Sequence, residues 1–320
     1  RGENDPYGAL ISFVVSGEHL PHPDDEVEED RREAERARSE DEAEKSEDDD
    51  VPAKAPTTIE VEILDAGGER IRKFDHDVTQ GLNRVVWNLR SDPFRRPPTT
   101  SEDDDWLGVG TGPEVLPGGY TAVLRFGDEE VRAQLKVVPD PRVDFSLESR
   151  RANWETRQRA GRLQETLAEA LQRIVDARAD AADVMTRIER VRREARVDGT
   201  EWDEPADAPL HDLAEAVKGF QKDLTEIERT IRADPEGKGI QGGVYPWSLL
   251  SQAGWFMGST WDRPSPEVLE HLARAERMAR GAIEGVNAFF AEDYVAFRER
   301  VAAAEALRER LGEVEPLQMP

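Results

Sequence analysis

The apolar pattern changes period once along this chain, and that change constrains the fold more than any other feature. Before the stiff stretch Pro139-Asp140-Pro141, apolar residues alternate with polar ones; after Phe145 they recur every three or four residues. A side-chain period of two belongs to a half-buried strand, and a period near 3.5 belongs to a helix packed along a seam. The order predicts strands first and helices afterwards, an α+β organisation in two domains.

In the first part, "TTIEVEILDAGGERIRKFD" sets Ile59, Val61 and Ile63 on one side and Glu60 and Glu62 on the other. "DAGG" reads as a turn and "ERIRKFD" as the returning strand of a hairpin. "GLNRVVWNLR" continues with Leu82, Val85, Trp87 and Leu89 as apolar anchors, and "GGYTAVLRFGDEEVRAQLKVV" gives a second hairpin turning at "FGDEE". "YGALISFVVSG", inside residues 1–17, reads as a first strand. Strands at this spacing with no helix between them predict an antiparallel β-sandwich, Ig-like in outline, over 57–143.

In the second part, "SLES" reads as a helix start. Leu163, Leu167, Leu171, Ile174, Ala181, Val184, Ile188 and Val191 form one seam; Leu210, Leu213, Val217, Phe220, Leu224, Ile227 and Ile231 form another. A shorter apolar segment, "YPWSLLSQAGWFMGSTW", comes third. The last seam runs through Leu272, Ala275, Ala279, Ile283, Val286, Phe290, Phe297, Val301, Ala304 and Leu311. Gly- and Pro-rich connections predict an antiparallel bundle of three to four long helices over 144–320, with coiled-coil-like seams.

Between the first strand and Thr57 the composition collapses. Glu18 to Asp50 carries 17 acidic residues against 5 basic ones, a net of −12. So little apolar surface does not offset ordering entropy, so 18–56 reads as a disordered or frayed-helical acidic insertion. Over the 320 residues the formal charge is −26, which argues against duplex nucleic acid and against an anionic membrane surface as partners. No apolar run approaches the ~20 residues of a spanning helix, so no membrane insertion is expected. There is no cysteine, which removes disulfides, thiolate nucleophiles and sulfur-ligated zinc. Arginine outnumbers lysine heavily, and an acidic, Arg-rich surface suits a protein kept soluble in a salt-adapted cytoplasm.

Several of these phrases resemble a known family. "ALISFVV", "TIEVEILDAGGERIRKF", "GLNRVVWNLR", "GPEVLPGGYTAVLRFG" and "LKVVPDPRV" resemble the C-terminal β-domain of BNR-repeat, sortilin-like (VPS10-type) β-propeller proteins of bacteria and archaea. "DRPSPEVLEHL" and "FFAEDYVAFRERV" resemble that family's helical tail. The resemblance implies a C-terminal scaffold or interaction region whose partner is the N-terminal propeller of the same protein, with an extracellular or cell-surface location. The chain opens on Arg1, and a propeller is expected to precede it. Such proteins are loosely catalogued as glycosyl hydrolases, yet no Asp-box repeat of the S-x-D-x-G-x-T-W kind occurs here, so that label transfers no catalytic residue and no cofactor to this chain.

Two constellations invite a chemical reading. "HPDDE" at His22–Glu26 also occurs in zinc-dependent deacetylases, which would make His22 and Asp25 metal ligands, with His76 of "FDHDV" as the third. The surroundings that chemistry needs, a Gly-rich helix start and a parallel βαβ pattern, are absent, so a solvated acidic segment is expected instead. "GVGTG" at 108–112 and the "DDD" runs at 48–50 and 103–105 lack the spacing of phosphate and calcium loops. The aromatic segment with Tyr245, Trp247, Trp255, Phe256 and Trp261 either caps the helical core or presents a docking surface to the propeller or to another protein. The alternatives to a scaffold are a hydrolase, working through the propeller or through "HPDDE", and a carbohydrate- or peptide-binding sandwich.

Overall fold

The computed structural model describes residues 7–17, 20–43, 57–98, 111–143, 146–197, 204–233 and 243–304. The chain is a mixed α+β protein with two antiparallel sheets. Its strands are β1 (Ala9–Val15), β2 (Thr58–Leu64), β3 (Arg70–Asp77), β4 (Gly81–Trp87), β5 (Gly118–Phe126) and β6 (Glu129–Val137). Its helices are α1 (Asp25–Ala43), α2 (Leu147–Val197), α3 (Glu204–Glu228), α4 (Pro246–Gly258), α5 (Pro266–Ala291) and α6 (Asp293–Ala303). Two compact units emerge: Arg1–Pro93 with Gly110–Trp154, and Phe94–Val109 with Glu155–Pro320. The division falls inside α2 and places Phe94–Pro98 with the helical unit.

In the strand unit, β1 pairs with β4 in a two-stranded sheet, and the other four strands run in the order β3-β2-β5-β6. Both expected hairpins are present. The first turns on Asp65, whose Oδ1 accepts the Gly67 and Glu69 amides at 2.8 and 2.9 Å, with Gly68 at φ +83° where a side chain would be strained. Ile11, Val15, Val85 and Trp87 from one sheet meet Ile59, Val61, Ile63, Tyr120, Ala122 and Leu124 from the other in one buried cluster. Trp87 satisfies its indole N–H on the Arg90 carbonyl at 2.9 Å and meets Tyr120 edge-on at 5.3 Å. Removing a buried Trp of this kind costs about 3–5 kcal/mol.

Leu82 does not anchor this core; it is 70 % exposed. Its parity differs from that of Val85 and Trp87, so β4 turns Asn83, Val85 and Trp87 inward and Leu82 outward. Asn83 is buried without penalty because its amide donates to the Thr79 and Gly81 carbonyls at 2.7 and 3.0 Å and accepts the Thr79 N–H. Leu82 instead lies opposite Val14, also 70 % exposed, on the outer face of the two-stranded sheet.

Within the stretch expected to be a disordered or frayed-helical insertion, Asp25–Ala43 is helical. Two residues decide this against the composition. Leu20 is fully buried in the strand-unit core, and Glu28 is buried at 7 % exposure while joined to Arg31 and Arg32.

The helical unit has its own core, drawn from α2 to α6. Leu167, Leu171, Ile174, Ala181, Val184 and Ile188 of α2 and Leu210, Leu213, Val217, Phe220 and Leu224 of α3 lie inside, on the expected seams. The last predicted helix is two helices. It breaks at Glu292 (φ −115°, ψ −70°), and the turn brings Phe297 of α6 flat against Phe220 at 4.1 Å. Beyond Ala279 its buried positions are Ala282, Val286 and Phe289, while Ile283 and Phe290 are only partly buried. Leu311 lies outside the described residues. Segment 94–98 runs along α2: Gln164 Nε2 donates to the Phe94 and Arg95 carbonyls at 3.3 and 3.0 Å, and Gly161 makes room for the Phe94 ring.

Candidate functional site

The "HPDDE" stretch builds a helix start. Asp24 stands before α1 and its Oδ1 accepts the Glu26 amide at 3.1 Å, while its carbonyl accepts the Glu28 N–H at 3.0 Å. This is N-capping, and Asp25, Glu26 and Glu28 in the first turn add charge of the sign that the helix dipole favours. The Asp24 amide donates to His22 Nδ1 at 3.1 Å, and the His22 amide donates to Glu28 Oε2 at 2.8 Å. Arg31 reaches the Leu20 carbonyl at 2.9 Å, and the Pro21 carbonyl accepts the Gln80 amide at 2.8 Å. The His22 amide holds the Glu28 carboxyl below its usual range; burial opposes it less strongly, and Arg32 and Arg31 add smaller effects of the same sign as the amide.

This arrangement bears directly on the metal reading. The Nδ1 lone pair of His22 is engaged by a backbone N–H, and Asp25 is exposed in the first turn of α1. His76 sits in β3 opposite Ile59. Among the described residues no group of three or more His, Asp or Glu side chains converges in a way that could hold a metal ion. Of the other lures, residues 48–50, 103–105 and 108–110 lie outside the described residues. Gly112 is packed against the backbone of Ser91 and Asp92 and donates its own N–H to the Ser91 carbonyl at 3.1 Å, which explains the glycine structurally.

The carboxylates that cluster on the outer face of the four-stranded sheet are neutralised in place. Arg125 binds Glu60 at 2.8 Å, Glu62 at 2.6 Å and Glu130 at 2.9 Å, and Lys73 binds Glu60 at 2.6 Å. Lys73 and then Arg125 hold the Glu60 carboxyl below its usual range; Arg132 and then Arg125 do the same for Glu130. A general acid needs the opposite, a carboxyl raised toward neutrality.

The aromatic segment divides sharply. Trp247 is half-buried and packs against the helical core, while Tyr245 and Trp261 are half-buried as well. The start of α4 is fixed by Ser248, whose hydroxyl accepts the Tyr245 amide at 3.2 Å and donates to the Tyr245 carbonyl at 2.9 Å, and by Pro246 in the first turn. Leu249, Leu250, Ala253 and Met257 then face inward. Trp255 and Phe256 face outward at 70 % and 41 % exposure, with their rings in edge-to-face contact at 5.1 Å. Val244, just before the helix, is exposed too, and α4 carries no charged residue from Pro246 to Gly258. Of the five aromatic residues expected to cap the core or dock a partner, two therefore form an open surface.

No family model, curated protein or solved structure matches this chain. No helix among the described residues is long and apolar enough to cross a membrane.

Proposed function

We propose that this chain is a non-catalytic scaffold and interaction region, an Ig-like sandwich followed by a helical bundle, that supports a sortilin-like β-propeller encoded in the same protein. The propeller half of this reading rests on the sequence phrases that resemble that family. The interaction half rests on one observation: Trp255 and Phe256 stand adjacent and open on a helix that has no charge, in a chain where 35 % of residues are charged. Exposed Trp and Phe together cost solubility, and exposed aromatic residues on an uncharged segment are the composition of interface centres. The occupant that fits is a neutral, apolar protein surface, such as the side of a propeller blade. The engaged His22 imidazole and the ion-paired carboxylates favour this reading over hydrolysis.

The test has two arms. The reading frame that encodes this chain is sequenced upstream of Arg1, where Asp-box repeats are expected; their absence overturns the propeller assignment. The longer protein and this chain are then compared by hydrogen exchange across Val244–Ser259, with Trp255→Ser/Phe256→Ser as the control. Protection gained in the longer protein and lost in the variant is the expected result, and equal exchange in all three refutes docking at α4.

A further inference from the structure

We infer that the chain pairs with a second copy of itself through the free edge of β6. The two edges of the four-stranded sheet are treated differently by the fold. At the β3 edge, the chain covers itself: the Asp92 amide donates to the Ile71 carbonyl at 2.7 Å, and the Lys73 amide donates to Asp92 Oδ1 at 3.1 Å. At the other edge, β6 pairs with β5 alone among the described residues, through nine consecutive positions from Glu129 opposite Phe126 to Val137 opposite Gly118. Natural edge strands are blunted by proline, by a bulge, by shortness, by a charge pointing inward or by charged side chains along the edge. β6 has only the last, in Glu129, Glu130, Arg132 and Lys136, and those charges balance. Its register with β5 is unbroken, and its core-side positions, Val131, Ala133, Leu135 and Val137, are all apolar.

The hairpin turn shows which backbone groups β5 does not use. Gly127 and Asp128 form a two-residue loop, so the closing pair Phe126–Glu129 exchanges hydrogen bonds and odd-numbered β6 residues face β5. The N–H and C=O groups of Glu130, Arg132, Gln134 and Lys136 then point to the open edge. A two-fold axis at Ala133 sets Arg132 opposite Gln134 and Glu130 opposite Lys136 of the second copy. Every outward backbone group finds a partner in that register, and the facing charges are opposite. The same symmetry sets Val131, now 58 % exposed, beside Leu135 of the second copy on the core side.

Charge explains why the second copy, rather than an arbitrary strand, is the occupant. Two molecules of net charge −26 repel almost everywhere, but β6 carries two acidic and two basic residues and is locally neutral. An isologous contact must be complementary to itself, and Glu130 with Lys136 satisfies that condition about Ala133.

The experiment is sedimentation equilibrium of the full chain, whose mass is 36.0 kDa, across the micromolar range. A monomer–dimer equilibrium is expected. Gln134→Pro removes an edge-facing N–H that β5 does not use, and is expected to weaken the dimer about a hundredfold. Lys136→Glu sets like charges opposite each other twice in the interface and is expected to weaken it about tenfold. Lys218→Glu on α3, with the same change in net charge, is expected to leave the equilibrium unchanged. Circular dichroism checks that each variant keeps its fold; should Gln134→Pro lose it, Lys136→Glu and the concentration dependence of amide exchange at Arg132 and Gln134 carry the test. A monomer at all concentrations, or a dimer indifferent to the β6 substitutions, overturns the proposal.

Discussion

Gly161 lies in the interior of α2, where glycine is a poor choice: replacing it with alanine in an ordinary exposed helix position gains about 1 kcal/mol. Here the expected sign is reversed. A Cβ built on Gly161 falls well inside van der Waals contact of the Phe94 ring, against a carbon–carbon optimum of about 3.5–4.0 Å. Helix backbone does not yield by that amount, so Phe94 must leave. Fully burying a Phe side chain is worth about 1.5–3 kcal/mol, and Phe94 is half-buried, so its share is about 1–1.5 kcal/mol. Two hydrogen bonds from Gln164 to the Phe94 and Arg95 carbonyls are strained or lost with it, at about 0.5–1 kcal/mol each. The loss of about 2–3 kcal/mol exceeds the propensity gain, and Gly161→Ala is expected to destabilise the protein by about 1–2 kcal/mol. The assay is urea unfolding of the full chain followed through its helix signal, run on Gly161→Ala, Phe94→Ala and the double variant. In the Phe94→Ala background the obstruction is gone, and the same glycine substitution is expected to stabilise by about 1 kcal/mol. A Gly161→Ala variant that gains stability in both backgrounds refutes the packing of segment 94–98 on α2.

Two further outcomes are expected from the ion pairs. Glu28 has its carboxyl depressed chiefly by the His22 amide, so the stability it lends α1 is present above the unfolded value of about 4.3 and is lost as pH falls through the lower folded value; the protection of α1 amides, measured relative to their intrinsic exchange rates, should fall below about pH 4 in the wild type and already be low at neutral pH in Glu28→Gln. Glu228, 1 % exposed, is held by Arg178 at 2.8 Å and by Arg232, whose other nitrogen donates to the Pro98 carbonyl at 3.0 Å. Glu228→Ala is expected to cost about 3 kcal/mol in urea unfolding, the low end for a broken buried pair because Arg178 is partly in solvent, whereas replacing Glu228, Arg178 and Arg232 together with Leu or Met should come close to neutral.

How far the residues alone disclosed this depends on the distance over which each signal acts. The alternation through Ile59, Val61 and Ile63 and the seam through Leu167, Leu171 and Ile174 are local, and both sets are buried. Leu82 was misread because hydrophobicity was followed where parity should have ruled: it is three residues from Val85, and a strand cannot turn both inward. The frayed-helical reading of this stretch does not fix where α1 begins, because composition averages over a segment while the anchoring depends on single contacts of Leu20 and Glu28. The one legible trace was Asp24 standing before an acidic first turn, an N-cap pattern hidden by a resemblance to metal ligands. Gly161 is visible as an anomaly inside a helical run, but nothing nearby in the chain names Phe94 as its cause. Edge status is a property of strand order, so β6 reads in sequence like any other strand.

The large negative charge bears on association more than on folding. A surface that repels copies of itself leaves contact only where charge is absent or balanced, and the described residues offer both kinds: α4 has none, and β6 has equal numbers of each sign. The two surfaces should answer salt differently. Raising ionic strength shortens the Debye length from about 10 Å at 0.1 M to about 3 Å at 1 M and so relieves the repulsion between whole molecules. A contact through uncharged α4 gains from that relief without loss. Pairing through β6 gains the same relief but gives up the attraction between Glu130 and Lys136 of the facing copies, so its affinity should rise less steeply with salt. In Lys136→Glu the facing groups repel, salt screens both repulsions, and the dependence should steepen beyond that of the wild type. Salt dependence thus separates the two modes of association even where both operate in one molecule.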